Sequence, residues 1–287
     1  MINVNGTQQP LILASMTTIG TSSFRERVEV AAAAGFDALG LSLAAFREIS
    51  AGEMSPKEMK SVLDANGMRV AELEAVFGYA IEPAKTGIPF GGGLVYTPPE
   101  DLKDFWTMAE LFEPHHLQAV GAFDTDVLEP DAIERFAGLC DQAATVGIKI
   151  GLEFLPTTNI PDAGVALSIV EQADRPNGGL CIDSWHHTRG AQNLDLLRAV
   201  PPHRVSVIQL DDGPAEPADP NFLYETMHYR DVPGDGDFDL AGFFAAIFES
   251  GTSAPVSVEV LSDSLSELTP QDGALRLVKG TQSVLPV

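Results

Sequence analysis

The chain has 287 residues and a formal charge of −24, with 17 Lys and Arg against 41 Asp and Glu, and 45 % of it is hydrophobic. That length holds two average domains or one large α/β barrel, and the apolar share is that of a packed protein, not an acidic tail. The charge argues against nucleic acids and anionic membrane surfaces, which are bound through Lys and Arg clusters that the sequence lacks. In chain order, short apolar runs alternate with helically spaced segments. The runs are Leu11–Ile19, Phe36–Leu43, Met68–Phe77, Leu117–Phe123, Ile148–Phe154, Gly179–Ile182, Val205–Leu210 and Val256–Leu261. The helical segments are Phe24–Ala34, Pro56–Asn66, Pro99–Phe112, Asp131–Val146, Ala163–Ala173, Leu194–Ala199, Leu240–Ser250 and a last one from Asp272. Gly35, Gly67, Gly147 and Gly251 stop helices, while Ser55 and Pro56 start one.

Eight strand-then-helix units point to a parallel sheet closed into a single (β/α)8 barrel spanning residues 1–287. An open doubly wound sheet is the runner-up, but no glycine fingerprint follows the first run and no linker divides the chain. Two connections are long, Gly78–Pro98 and Asp211–Pro233. Both follow strands, on the face where barrels keep their sites, and are expected to act as lids. Cys140 and Cys181 are the only cysteines, so no disulfide framework is implied. The stretch from Met1 to Gly20 has no basic region before its apolar residues, and no apolar run approaches the ~18 residues of a membrane span. A cytoplasmic address is the expectation.

Chemistry is concentrated where the last four strands end. Side chains alternate along a strand. Ile148, Ile150 and Leu152, then Leu180 and Ile182, then Val256 and Val258 form aliphatic sets that should face the helices. The opposite set carries Gly151, Cys181, Val207 and Ser257 low down, and Glu153, Asp183, Gln209 and Glu259 at the top. The parity therefore aims three carboxylates and one amide into the barrel mouth. Carboxylates gathered in a low-dielectric space need protons, cationic side chains or a metal. With so few basic residues, a divalent cation is the economical answer. An all-oxygen set of Glu153, Asp183, Gln209 and Glu259 favours Mn2+ or Mg2+ over Zn2+.

These residues bring a family resemblance with them. Gly151-Leu152-Glu153-Phe154-Leu155-Pro156, Asp183-Ser184-Trp185-His186, Arg230 with Pro233-Gly234-Asp235-Gly236-Asp237, and Val258-Glu259 resemble the xylose-isomerase-like TIM-barrel superfamily. The resemblance extends over essentially the whole chain. It implies one divalent metal held by groups on strands five to eight, which carries over to Glu153, Asp183 and Glu259. Gln209 stands where ketose epimerases of this group have His, and its amide oxygen keeps it as an expected ligand. The resemblance also implies that His186 binds substrate oxygen and that Arg230 binds substrate or orients the last Glu. The two glutamates, Glu153 and Glu259, are then the catalytic pair that exchanges protons with substrate carbon. Barrels of this group often pair through their helical shell, so a homo-oligomer is compatible.

Glu74, on the third run, is a candidate for a substrate hydroxyl. Trp185 is the candidate wall for a sugar-like ring. His115 and His116 end a helix ahead of the fourth run and are expected on the opposite face. The resulting function is a metal-dependent isomerase or epimerase that works through an enediolate on a neutral sugar, keto-sugar or cyclitol. A lyase or dehydratase acting on a keto-sugar or its glycoside at the same metal site, alone or with a partner subunit, is the first alternative. A metal-free binding subunit is the second. A DNA-repair endonuclease of this superfamily is disfavoured, because that site is rich in His and this chain has six His in all.

Overall fold

The apolar runs pair side by side and close on themselves. A computed structural model describes residues 1–4, 6–21, 23–81, 85–91 and 93–285. Its barrel strands are β1 (Leu11–Leu13), β2 (Ala38–Ser42), β3 (Arg69–Phe77), β4 (His116–Val120), β5 (Lys149–Glu153), β6 (Gly178–Asp183), β7 (Val205–Leu210) and β8 (Val256–Val258). They form one closed barrel in sequence order, with β8 returning to pair with β1. All eight pairings are parallel. The fold is therefore the expected single (β/α)8 barrel.

The alternation read from the sequence explains which side of each strand meets the helices. Ile150, Leu152, Leu180, Ile182, Val256 and Val258 belong to one core shared with helix residues such as Phe136, Ile169 and Phe244. The helices that carry this shell include Phe24–Ala34, Pro56–Ala65, Leu102–Phe112, Ala132–Thr145, Ala163–Ala173, Leu240–Phe248 and Pro270–Val284. Ser55 caps Pro56–Ala65 as expected, through a reciprocal pair of bonds with Glu58. Inside the barrel sits a small separate group, Ile12, Ala38 and Ala71. Among the described residues, no helix is long and apolar enough to cross a membrane.

Among the helices that the sequence reading does not anticipate, three stand near the strand ends that carry the site. The run Phe36–Leu43 turns straight into a helix at Leu43–Gly52, because the Ser42 side chain accepts the Ala45 N–H and caps it. Ser184–Arg189 starts directly behind β6, capped by Asp183. Phe222–His228 lies inside the long connection after β7. The other long connection carries a short antiparallel ribbon, Pro89–Gly91 with Leu94–Val95. Residues 82–84 and Gly92 of that connection lie outside the described residues. The ribbon and the Phe222–His228 helix meet at Gly91, where φ is +139° and an added Cβ would stand 2.5 Å from Leu223 Cδ2. The positive φ favours glycine there, and any Cβ would make the Leu223 side chain move aside.

Candidate active and metal site

The strand ends deliver the expected acids to one place. Glu153 closes β5 and Asp183 closes β6, two positions beyond the paired residues Cys181 and Glu153. Gln209 pairs with Asp183 on one side and Ser257 on the other. Glu259 follows β8, with its N–H donating to the Leu210 carbonyl at 3.1 Å. The turn after β6 adds a nitrogen. Asp183 Oδ1 accepts the Trp185 N–H at 2.7 Å, which starts a helical turn and swings His186 back over the strand end. His186 Nε2 then lies 3.3 Å from Glu153 Oε1 and 3.4 Å from Asp183 Oδ2. One donor atom from each of Glu153, Asp183 and His186 falls within 4.8 Å of the others, and all three residues are buried. This grouping could hold a metal ion.

Two further observations bear on that. His186 Nδ1 and Gln209 Nε2 are buried polar atoms without a partner. Gln209 Oε1 accepts from Cys181 Sγ at 3.0 Å. The two ends of a primary amide have the same shape, so a half-turn lets the nitrogen donate to that sulfur and leaves the oxygen in the partnerless position. Oxygen and imidazole donors, buried and short of partners, suit a divalent cation. The residues present fit the metal that the sequence leads one to expect, with His186 joining the donors rather than serving substrate alone.

Arg230 is the cationic counterpart. It is 2 % exposed, and its Nη1 donates to Asp211 Oδ2 at 2.6 Å, Glu259 Oε2 at 2.9 Å and Asp183 Oδ2 at 3.2 Å. Three carboxylates around one guanidinium cannot all be charged without further compensation. Burial opposes ionisation of Asp183, but His186, Arg230 and the Trp185 N–H outweigh it and hold its pKa below the usual range. Burial pushes Asp211 well up, reinforced by Asp183. Burial also pushes Glu259 well up, with Arg230 offsetting only part of it. Asp211 is the residue the sequence reading missed. It lies one step beyond Gln209 on the same face, so extending the parity by two residues finds it.

A cavity of about 370 Å3 opens above this floor and is lined by Glu74, Glu153, His186, Arg230 and Glu259 among others. Glu74 reaches it from β3, with Oε1 accepting the Ser15 N–H at 2.7 Å. Trp185 does not line it, which corrects the expectation of a sugar-stacking wall. The indole is fully buried, donates to Thr226 Oγ1 at 2.9 Å and packs against Phe238, Arg189 and Arg230. Its position in a capped helical turn rather than an open loop aims it into the fold.

Below the floor lies a second polar group. Glu72 Oε2 is 3.1 Å from His116 Nε2, and Ser257 Oγ donates to Glu72 Oε1 at 2.9 Å. His116 is thus not a helix-end residue; it opens β4 and points into the barrel. Burial lowers its pKa to about 3, and that of His115 likewise. Burial raises Glu72 to about 7 from an ordinary 4.5, and Glu74 beside it is pushed well up as well. A folded-state acid with a raised pKa binds more protons than its unfolded counterpart. Its stabilisation is complete below about 4.5 and is lost as pH rises through about 7. Glu72→Gln removes that dependence. The stability difference between variant and parent is expected to move in the variant's favour by ~1–3 kcal/mol between acid and alkaline sides of that window, measured by urea unfolding. A difference that stays flat with pH contradicts the assignment.

Gly40 allows Glu72 and Glu74 to sit so close to β2. A Cβ there would be 2.6 Å from Ser15 N and 2.7 Å from Glu74 Oε1. Gly40→Ala is expected to cost ~1–3 kcal/mol of stability by displacing Glu74, again read by urea unfolding.

Comparison with known proteins agrees with this architecture. The chain is similar to 3-dehydroshikimate dehydratase of Pseudomonas aeruginosa, 32% identical over 148 residues, or 51% of this chain and 23% of the relative. It is similar to inosose isomerase of Bacillus subtilis, 29% identical over 160 residues, or 55% of this chain and 56% of the relative. The chain thus spans less than two thirds of the length of these curated relatives. A solved structure described as the IOLI protein with a binding zinc atom superposes with a TM-score of 0.82 at 23% identity, over 96% of this chain and 98% of that one. Finally, the family model for the xylose isomerase-like TIM barrel matches residues 28–280, and the chain belongs to that family.

Proposed function

We propose that the chain is a divalent-cation-dependent enzyme that enolises a neutral keto-polyol, either a keto-sugar or a cyclitol ketone. The observation that carries this is the buried Glu153–Asp183–His186 grouping on the floor of a cavity. Those three residues would hold the cation, with Gln209 beside Asp183 as a further oxygen donor. When bound, the cation supplies electrophilic polarisation of the substrate's carbonyl and neighbouring hydroxyl. Glu153 takes the proton from the carbon next to the carbonyl, and Glu259, whose pKa burial pushes up, returns one. Arg230 keeps Glu259 and Asp183 in place, since its Nη1 is committed to them. Glu74 accepts a substrate hydroxyl. The relatives' names, an inosose isomerase and a dehydratase, support this reading and weigh against the alternative of a binding subunit without activity. Mn2+ or Mg2+ remains the preferred cation for the oxygen-rich donors, although one structural neighbour is described with zinc. A cytoplasmic, homo-oligomeric enzyme fits this reading.

Dehydration is the second outcome, with Glu259, which lines the cavity beside Arg230, protonating the departing hydroxyl. The common enolisation step is tested by incubating an inosose and a ketose with the protein and Mn2+ in D2O. Deuterium is expected at the carbon next to the carbonyl of at least one of them, and EDTA is expected to stop its entry. No exchange in either, with the cation bound, contradicts the proposal.

A further inference from the structure

The cavity is not lined by ionisable side chains alone. Leu43, Phe77, Val95, Val120, Leu155 and Leu223 give it an apolar wall beside the acids. A bare polyol carries hydroxyls on every face and leaves such a wall unmatched. The cationic side chains that line the cavity are also committed. Arg47 is held by Asp101 at 2.6 Å and by Asp104, and Arg230 by three carboxylates. Neither offers a free charge for a phosphate or carboxylate tail. The apolar character continues outward. Large hydrophobic side chains exposed on segments that follow barrel strands include Ile88 and Val95 after β3, Val127 after β4, and Tyr224 and Tyr229 after β7. Val95 among them also lines the cavity, so part of the apolar wall is open to solvent. Flat walls are present too: Phe123 lines the cavity and stacks on Phe90 with centroids 4.4 Å apart and planes at 13°.

We propose that this apolar wall is a subsite for an aromatic substituent, so that the substrate is a keto-polyol carrying an aryl group and not a free small polyol. The inference rests on the reading that the floor takes a keto-polyol. The volume of about 370 Å3 lies in the range of pockets that enclose molecules larger than a single sugar ring. A ring placed against Phe77 or Phe123 buries flat apolar area that an open polyol chain does not offer.

The test is titration calorimetry of the full chain with Mn2+ present, using phenyl β-D-glucoside and methyl β-D-glucoside as probes. The phenyl compound is expected to bind about ten-fold tighter or more, from burial of the ring. Leu155→Ser and the exposed Val95→Ser are each expected to reduce that ratio by about three-fold or more. Because Val95 is on the surface, its variant guards against a folding defect. A ratio near one, or a ratio that neither substitution changes, overturns the subsite. Deuterium exchange in an unsubstituted inosose tests the floor separately. If exchange proceeds while the ratio is one, the subsite alone fails.

Discussion

Arg230→Met is expected to lower stability by ~3–5 kcal/mol, the cost of removing one partner from a buried ionic cluster. The guanidinium is 2 % exposed and serves Asp183, Asp211 and Glu259 through one nitrogen, with the Glu259 carbonyl as a fourth acceptor at 3.1 Å. Its charge is reinforced in place, because the surrounding acids overcome the burial that would lower its pKa. Without it, three acids are left in a space from which water is excluded, and they can relax only by taking up protons. The variant is therefore expected to regain stability as pH falls, since protonation replaces the missing cation. Arg230→Lys keeps a charge but not the fork of donors, and should fall between the two. Urea unfolding of the three proteins at acidic and neutral pH checks this. A loss below about 1 kcal/mol for Arg230→Met would show that the cluster is solvated rather than buried.

The second large effect is on chemistry. Glu153→Gln is expected to lower the deuterium-exchange rate by ~10²–10⁴-fold, the usual weight of a general base. It should also weaken Mn2+ binding, because Glu153 belongs to the three-donor grouping. Glu259→Gln should reduce exchange to a similar extent with a smaller effect on Mn2+. Glu259 is held by Arg230 and lies outside that grouping. Measuring exchange by NMR and Mn2+ affinity by calorimetry on the same samples separates the two roles. Equal losses of cation affinity in both variants would instead make Glu259 a ligand, as the all-oxygen reading of the sequence has it.

The barrel was legible because its parity is clean: Ile150 and Leu152 against Gly151 and Glu153, Leu180 and Ile182 against Cys181 and Asp183. The same alternation located the acids, and Arg230 was legible only through family resemblance. What stayed hidden was set by turns. Asp183 ends a strand and caps a helix of six residues at once. That helix puts His186 over the acids and buries Trp185, neither of which strand parity can show. His116 was misplaced because the preceding helix stops at Phe112 and the strand begins at His116 itself. Its partner Glu72 is 44 residues earlier in the chain, a pairing that exists only once the barrel closes.

The most direct test of the central claim is the anomalous scattering of Mn2+ in a crystal of the full chain. The expected result is one peak bonded to Glu153, Asp183 and His186 on the floor of the cavity, which Asp183→Asn abolishes. A Mn2+ peak elsewhere on the barrel, with that floor occupied by water alone at saturating cation, would contradict it.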